Sequence, residues 1–327
     1  MLYPMPFCPR LIPLVLLAAT ASVAQVEFRQ EKEAVAVTID GKPFTILKYG
    51  APIGHPYLHP LLTASGKAVT RGFPDDPQEG ELTTLPHQIG VWTGHEKVND
   101  IDFWETHPTY KRNRKLGRVV FKDVTRMSPS KDQGELAFVA DWVDPDGKAV
   151  ITETERVLFY STGTRTRMLD VEMVIHPNEK VTMSDHTDGI FGIRLGQRFE
   201  ERNGGRVRNF SGTYGADRIY GQRSPWLSYE GDLGGEKVAV TLMDHPSNFN
   251  FPTRWHVRPW GNANASNFGE THFYHESPLK GKPLPTGWRD ISVTLERGQE
   301  MRFRYRVLIH PADLDIDAAW REFAATN

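Results

Sequence analysis

Histidines, a tryptophan and an arginine between residues 71 and 95 have the side chains needed for acid–base chemistry on a sugar ring. His87 and His95 flank Trp92, and Arg71 lies shortly before them. Histidine titrates near neutral pH and can act as a general base or acid. An arginine can hold a carboxylate or a pair of hydroxyls with two hydrogen bonds. We predict that His87 and His95 are catalytic and that Arg71 and Trp92 bind substrate, although either histidine alone could simply bond to a backbone carbonyl.

The segment 184–189 is a second candidate, placed between two predicted strands. Asp185 and Asp188 lie three positions apart at this junction, and Arg194 follows on the next strand. The carboxylates could orient a histidine or share its proton-transfer role. We predict that Asp185 and Asp188 are catalytic and that Arg194 binds substrate. The same stretch, with its Asp-Gly pair, is also typical of a polar turn.

A third polar stretch follows the apolar run 238–243. Asp244 and His245 come first, and Trp255 and His256 follow after a short interval. We predict that these four residues bind substrate, with Trp92 and Trp255 stacking on the sugar ring. Two tryptophans are costly to expose, so part of this stretch should serve packing.

Metal-ligand spacing is weak in this sequence. The pairs His55/His59 and His272/His275 match no specific ligand template, and there is no His-Glu-x-x-His motif. The one cysteine, Cys8, lies near the N-terminus. We therefore predict no bound metal and no cofactor.

The elements that must position these residues are nearly all strands. Alternating runs at 35–39 and 43–47 surround Asp40-Gly41, which is the signature of a hairpin. Similar runs fill 136–143, 150–160, 166–176 and 238–243, and a final hairpin is predicted from 291–295 and 301–310. Only 317–325 has helical periodicity.

Strands without intervening helices predict an all-β fold, a large antiparallel β-sandwich with one short C-terminal helix. The stretches 48–118, 200–235 and 244–288 lack a strand pattern and hold most of the histidines and tryptophans. Long loops in a compact domain are usually functional. We therefore expect the chemistry to lie on these loops.

Composition excludes several classes of protein. Of 327 residues, 39% are hydrophobic and 24% charged, so a disordered chain is excluded. Lysine and arginine total 39 against 41 aspartates and glutamates, a net charge of −2 that does not favour nucleic-acid binding. Outside the N-terminal segment no long apolar run predicts membrane insertion. Nothing in the sequence predicts an oligomeric state.

The N-terminal segment has the pattern of a secretory signal. Arg10 precedes the apolar run 11–19, and Ser22-Val23-Ala24 provides small residues for cleavage. We predict a cleaved signal peptide over 1–24 and a single β-sandwich domain over 25–327. The protein is then periplasmic or secreted, and Cys8 is removed with the signal.

Longer motifs resemble a bacterial family called methane oxygenase PmoA. The resemblance is carried by 57–72, by Pro86-His87-Gln88-x-Gly90-x-Trp92-x-x-His95, by 98–104 and by 244–258, and it covers nearly all of the mature chain. It implies a secreted sandwich similar to the galactose-mutarotase supersandwich, in which a concave sheet face presents histidine, arginine and a carboxylate to a sugar. Leu85, Ile89 and Asp188 depart from the family pattern, which implies altered specificity or lost activity.

Together these features favour an exported carbohydrate-active enzyme, of glycosidase, lyase or mutarotase type, that works by histidine and carboxylate acid–base chemistry in glycan degradation. Glycoside hydrolysis ordinarily needs two carboxyls about 5–9.5 Å apart, and chain spacing does not determine that distance. A non-catalytic carbohydrate-binding sandwich is the alternative. A metal-dependent oxygenase, implied by the name of the family, is the third interpretation.

Overall fold

The computed structural model of the protein describes residues 25–50, 53–110 and 115–326; the predicted signal peptide, with Cys8, lies outside them. These residues form strands connected by loops and by a few short helices. The strands are β1 (Val26–Gln30), β2 (Ala34–Ile39), β3 (Lys42–Lys48), β4 (Tyr57–Leu58), β5 (Gly90–His95), β6 (Arg118–Ser128), β7 (Gln133–Val143), β8 (Ala149–Tyr160), β9 (Arg167–Pro177), β10 (Val181–Met183), β11 (Gly189–Arg194), β12 (Arg206–Asn209), β13 (Trp226–Asp232), β14 (Lys237–Asp244), β15 (Arg254–Arg258), β16 (Asn262–Ser266), β17 (Val293–Leu295) and β18 (Met301–Pro311). The helices are α1 (Ala216–Ile219), α2 (Ile316–Ala324) and the 3-10 helices Gln197–Phe199, Glu201–Asn203 and Thr271–His275.

Two antiparallel eight-stranded sheets dominate the fold. Sheet A has the order β1-β2-β3-β4-β5-β11-β16-β15, and sheet B has the order β12-β13-β14-β18-β9-β8-β7-β6. The short strands β10 and β17 pair with each other. The predicted all-β antiparallel sandwich is confirmed.

The core lies where the inner faces of the two sheets meet. Phe191 of sheet A stacks on Tyr305 of sheet B with ring centroids 4.5 Å apart. Thr93 of β5 donates a hydrogen bond to Glu153 of β8 across the same interface at 3.0 Å. Because side chains alternate along a strand, the neighbours of Thr93 and Phe191 lie on the outer face of sheet A.

The predicted hairpin around Asp40-Gly41 is confirmed. Strands β2 and β3 pair antiparallel, and both turn residues have positive φ, 56° at Asp40 and 70° at Gly41. Aspartate and glycine tolerate that left-handed backbone, which matches the twist of the strands that it joins. The predicted hairpin across the turn 144–147 is confirmed as β7 and β8.

The predicted final hairpin is wrong. Strand β17 pairs with β10, whereas β18 lies inside sheet B between β14 and β9. The reason is burial: Phe303, Tyr305 and Val307 are alternate apolar positions that pack against the core, and only a central position in sheet B buries them.

The three predicted loops also contain strands. The stretch 48–118 includes β4 and β5, 200–235 includes β12 and β13, and 244–288 includes β15 and β16. Strand β5 is buried on both faces and shows no alternation of apolar and polar residues. Strand β16 does alternate, but its apolar residues are only alanines, so its pattern is weak. The central part of sheet A was therefore missed.

The C-terminal helix is confirmed as α2. The Asp315 carboxylate accepts a hydrogen bond from the Ala318 backbone N–H and caps its first turn. Phe323 is buried and Trp320 packs beside it, against Trp226 and Met243 of sheet B. Among the described residues, no helix has the length and apolar character needed to cross a bilayer.

Candidate functional site

A row of polar and aromatic side chains crosses the outer face of sheet A. The strand register places Trp92 opposite Gly192, Gly192 opposite Asn264, and Asn264 opposite His256. This series, the outer row, comes from β5, β11, β16 and β15. Its side chains are no more than 4% exposed, because loops cover this face. Polar groups buried in this way need partners, and their contacts define the site.

Glycine at position 192 allows two indole rings to lie over the sheet. A Cβ atom there would lie 2.8 Å from ring atoms of both Trp92 and Trp104. The two rings pack together with centroids 5.0 Å apart. Their ring nitrogens are buried without a hydrogen-bond partner. Trp92 is therefore at the predicted site, but it lies beneath the loops.

Asp188 and His256 meet at the other end of the outer row. Asp188 Oδ1 lies 2.8 Å from His256 Nδ1 and accepts a hydrogen bond from Asn264 Nδ2 at 2.9 Å. His256 Nε2 faces the Glu276 carboxylate at 3.5 Å, and Arg258 also pairs with Glu276. The structure thus brings together two of the residues predicted from distant parts of the sequence.

Burial shifts the pKa values of this pair toward its neutral forms. Burial, followed by the charge of Glu276, raises the pKa of Asp188 to about 7. Burial, followed by the charge of Arg258, lowers the pKa of His256 to about 3. The low dielectric of the interior disfavours the charged form of each side chain.

A second row of polar residues runs beside the first. Arg194 faces Asn262 across the β11–β16 pair, and Asn262 faces Arg258. Arg194 donates a hydrogen bond to Gln88 Oε1 at 3.2 Å and lies 3.8 Å from Glu200. Burial lowers the pKa of Arg194 to about 9. The predicted substrate residue Arg194 thus lies on the same face as Asp188 and His256.

A cleft of about 290 Å³ opens beside Asp188. It is lined by Glu96, Lys97, Asp100, Asp102, Lys115, His186 and His272. The rings of His186 and His272 are in contact, with centroids 3.7 Å apart. Burial, and then the neighbouring His272, lower the pKa of His186 far below its ordinary value, so its imidazole is neutral. The cleft therefore combines lysines and carboxylates with neutral imidazoles.

Three side chains at the inner end of this cleft have the chemistry of metal ligands. Glu96, His186 and Asp188 each offer a ligand atom, and these atoms lie within 4.8 Å of one another. The Glu96 and His186 side chains approach to 3.6 Å, and the Glu96 carboxyl also hydrogen-bonds to that of Asp188. This group, the Glu96 cluster, lies where β5 ends and β11 begins.

The predicted catalytic histidines are not brought together. Strand β5 begins three positions after His87 and ends at His95, and its six residues extend for roughly 20 Å. His87 Nδ1 lies 2.6 Å from the Tyr110 hydroxyl, and His95 Nε2 lies 2.8 Å from the Ser184 carbonyl oxygen. His95 is fully buried. The two histidines therefore have separate partners and do not form a proton-transfer pair in this structure.

Arg71 holds a loop. Its guanidinium donates hydrogen bonds to the backbone carbonyl oxygens of Leu82, Thr84, Leu85 and Gln88 at 2.6–2.9 Å. Its side chain is 1% exposed. The geometry makes Arg71 the support of the segment 82–88, which covers the Trp92 end of the outer row.

Asp185 and Asp244 bind backbone amides. The Asp185 carboxylate accepts hydrogen bonds from the N–H groups of Glu270, Thr271 and His272, and fixes the start of the last 3-10 helix. The Asp244 carboxylate accepts one from the Thr253 N–H at 2.8 Å, and burial raises its pKa to about 7. Both carboxylates stabilise the loops that carry neighbouring site residues.

Two further predicted residues lie apart from Asp188. Trp255 is fully buried on the core side of β15, and its ring nitrogen donates to the Ser224 carbonyl oxygen at 2.8 Å. His245 packs against Phe323 of α2 and bonds to Ser247. Neither side chain contacts the outer row.

Several residues of the site were missed from the sequence. They are Glu96, Arg258, Asn262, Asn264 and Glu276, together with Tyr220, whose ring packs against His256 and whose hydroxyl donates to Glu276. His186 and His272 also belong to them; the sequence placed these two in a turn and in a weak metal pattern. A usable signal exists at β16, where Asn262, Asn264 and Ser266 alternate with alanines. That period of two marks a strand with one polar face.

A family model places the chain among known sequences. The model is described as a family of unknown function (DUF6807), and it matches residues 34–324. The chain therefore belongs to that family. No curated protein matches the chain.

Proposed function

For this member of the DUF6807 family we propose an exported enzyme that acts on a saccharide, with its chemistry at Asp188 and His256. The single observation that carries the proposal is the convergence of Asp188, His256 and Asn264 within hydrogen-bond distance, with Asp188 next to Glu96 and His186 of the cleft lining. Resemblance to the family called methane oxygenase PmoA and to the galactose-mutarotase supersandwich supports the same substrate class.

The polar atoms of the covered face favour a polyhydroxylated ligand. The ring nitrogens of Trp92 and Trp104 are unpartnered donors, and Asn262 Oδ1 is an unpartnered acceptor. Buried polar atoms in native proteins nearly always have partners. A sugar hydroxyl both donates and accepts, so it would suit groups of both kinds. Trp92, Trp104 and Asn262 do not line the cleft, however, and the loops over them would have to move to admit it.

The arrangement favours one kind of reaction over another. The carboxyls of Glu96 and Asp188 hydrogen-bond to each other, whereas glycoside hydrolysis uses carboxyls about 5–9.5 Å apart with room for the sugar between them. We therefore favour an elimination or an interconversion at the ring, in which a proton moves to or from a substrate oxygen or carbon. His256 and Asp188 are the residues placed to move it.

The proposal is tested by product analysis on a panel of glycans with the mature chain. The variants Asp188→Asn and His256→Gln should each lower turnover by about 100-fold or more, the usual contribution of a general acid or base. His176→Gln is the matched control, since His176 lies on sheet B and is 42% exposed. Binding of a glycan without any product would instead establish the non-catalytic binding protein, and unchanged turnover in both site variants would remove the assigned residues.

A further inference from the structure

We propose that Glu96, His186 and Asp188 bind one divalent transition-metal ion, of the zinc or manganese class, at the inner end of the cleft. The three side chains offer two carboxylate oxygens and one imidazole nitrogen, all within 4.8 Å of one another. Ligand atoms that are each about 2.0–2.2 Å from one ion lie at most about 4.4 Å apart, so binding would draw the three groups slightly together.

The framework that holds these ligands is rigid. Strands β5 and β11 pair so that His95 lies opposite Gly189, and the backbone N–H of Glu96 donates to the Asp188 carbonyl oxygen at 2.9 Å. Glu96 and Asp188 are thus neighbours across two hydrogen-bonded strands, and His186 is held in the turn that leads to Asp188. All three ligands thus lie just outside the paired ends of β5 and β11, which hold the backbone beside them in place.

The closeness of the two carboxyls within the cluster is compatible with a bound cation. The carboxyls of Glu96 and Asp188 are in hydrogen-bond contact, and each of these side chains is only 14% exposed. Two carboxylates this close repel each other unless a proton or a cation lies between them. A metal ion at the Glu96 cluster neutralises both carboxylates at once.

The surroundings supply what a metal site needs. The His186 ring packs against His272, with centroids 3.7 Å apart, and its Nδ1 lies 3.6 Å from a Glu96 carboxylate oxygen. His256 and Asn264 bond to Asp188 Oδ1 and fix the direction of that carboxylate, as partners behind metal ligands commonly do. Three protein ligands leave positions open toward the cleft, which is the arrangement of a catalytic site.

The donor set selects the class of ion. Calcium prefers about 6–8 oxygen ligands and magnesium keeps most of its waters, whereas an imidazole with two carboxylates suits zinc, manganese or a similar ion. Such an ion can hold a hydroxyl or carbonyl oxygen of a ligand in the cleft. As far as that ligand is a saccharide, this role depends on the proposed function.

The test uses the mature chain, purified without a histidine tag and dialysed against a chelator and then against buffer. Zinc chloride and manganese chloride are titrated by calorimetry, with elemental analysis of the bound ion. We expect one ion per chain and a higher melting temperature with the ion. Glu96→Gln and Asp188→Asn should each weaken the affinity at least about tenfold.

Asp100→Asn is the matched control. Asp100 lines the same cleft, but its side chain is 82% exposed and faces Lys97 at 3.6 Å. The affinity of the Asp100→Asn variant for the ion should equal that of the wild type. Circular dichroism of each variant shows that it is folded; if Asp188→Asn does not fold, Glu96→Gln alone decides.

Substoichiometric binding by the wild type, or stoichiometric binding that survives Glu96→Gln, would overturn the metal site. The proposed function fails separately. Saccharide turnover that persists in excess chelator would contradict a role of the ion in the reaction and leave the enzyme standing. One ion per chain without any saccharide product would establish the metal site and contradict the enzyme.

Discussion

The outer faces of the two sheets are built in opposite ways. On sheet B, beside the part that α2 covers, opposite charges are paired: Arg156 lies 3.1 Å from Glu135, and Arg304 lies 3.7 Å from Glu172. On sheet A, the outer row is covered by loops, and its charges and amides are buried. Among the described residues, the outer face of sheet B contributes no buried side-chain atom without a partner, whereas that of sheet A contributes several.

This difference separates stability from function. Ion pairs near solvent cost little and stabilise little, about 0–1 kcal/mol each. A buried polar atom without a partner costs about 1–3 kcal/mol. A chain retains such a cost where a ligand needs the group, so the face that looks less favourable for folding is the one to examine for function. Three experiments can break or sharpen this comparison.

The largest effect is expected at the centre of the outer row. Gly192→Ala places a methyl group 2.8 Å from both Trp92 and Trp104. Overpacking of this kind should lower the free energy of unfolding by about 1–3 kcal/mol. Displacement of the rings should also lower saccharide turnover by about 100-fold. Urea unfolding and product analysis measure the two effects.

Gly196→Ala is the matched control for that experiment. A Cβ atom at position 196 would lie 3.4 Å from the nearest atom, which is ordinary contact. Its free energy of unfolding should stay within about 0.5 kcal/mol of the wild type. An equal decrease in the free energy of unfolding in the two variants would show that the outer row is packed no more tightly than the surroundings of Gly196.

A pH-dependent effect is expected between the sheets. Glu153 and Glu155 lie on the inner face of β8, and the Thr93 hydroxyl bonds to both. Burial, and then the charge of Glu153, raise the pKa of Glu155 well above its ordinary value of 4.5. The folded chain therefore keeps a proton that the unfolded chain releases above that pH, so the free energy of unfolding falls as the pH rises.

The Glu155→Gln side chain keeps a hydrogen-bond donor but cannot ionise. The decrease of the free energy of unfolding with pH should therefore be smaller in the variant, and its stability relative to the wild type should increase as pH rises. Urea unfolding at several values from about pH 5 to about pH 9 measures the slope. Glu135→Gln, on the outer face of β7, should keep the wild-type slope. A slope that Glu155→Gln leaves unchanged would show that another group causes it.

The smallest effect is expected on the outer face of sheet B. Arg302 pairs with Glu172, and the arginine side chain is 50% exposed. Arg302→Ala should lower the free energy of unfolding by less than about 1 kcal/mol. The difference should shrink in about 1 M salt, where charges are screened within about 3 Å. A loss as large as that of Gly192→Ala would contradict the contrast between the two faces.

The fold was largely predictable because its long strands have one apolar face. The alternation in β2, β7, β8 and β9 and the Asp40-Gly41 turn predicted local pairing correctly. The last hairpin failed because proximity in sequence favours pairing β17 with β18, whereas the apolar positions of β18 select the middle of sheet B. The residue pattern within one segment does not show which of two possible partner strands that segment will pair with.

The site was only partly predictable for a related reason. Asp188 and His256 were identified by type, but their contact joins residues 68 positions apart. His87 and His95 are close in sequence, and a shared catalytic role was therefore predicted for them. The extended strand β5 nevertheless separates their side chains. Glu96 has no local signal at all, since it becomes a possible metal ligand only through the pairing of β5 with β11.

The fastening of segment 82–88 by Arg71 has a consequence for substrate access. Four carbonyl groups depend on one buried guanidinium, so this cover is fixed to the body of the protein at the Trp92 end. The opposite end, at Glu96 and His186, is where the cleft opens. We therefore expect a ligand to reach Glu96 and His186 from this side rather than through the segment 82–88.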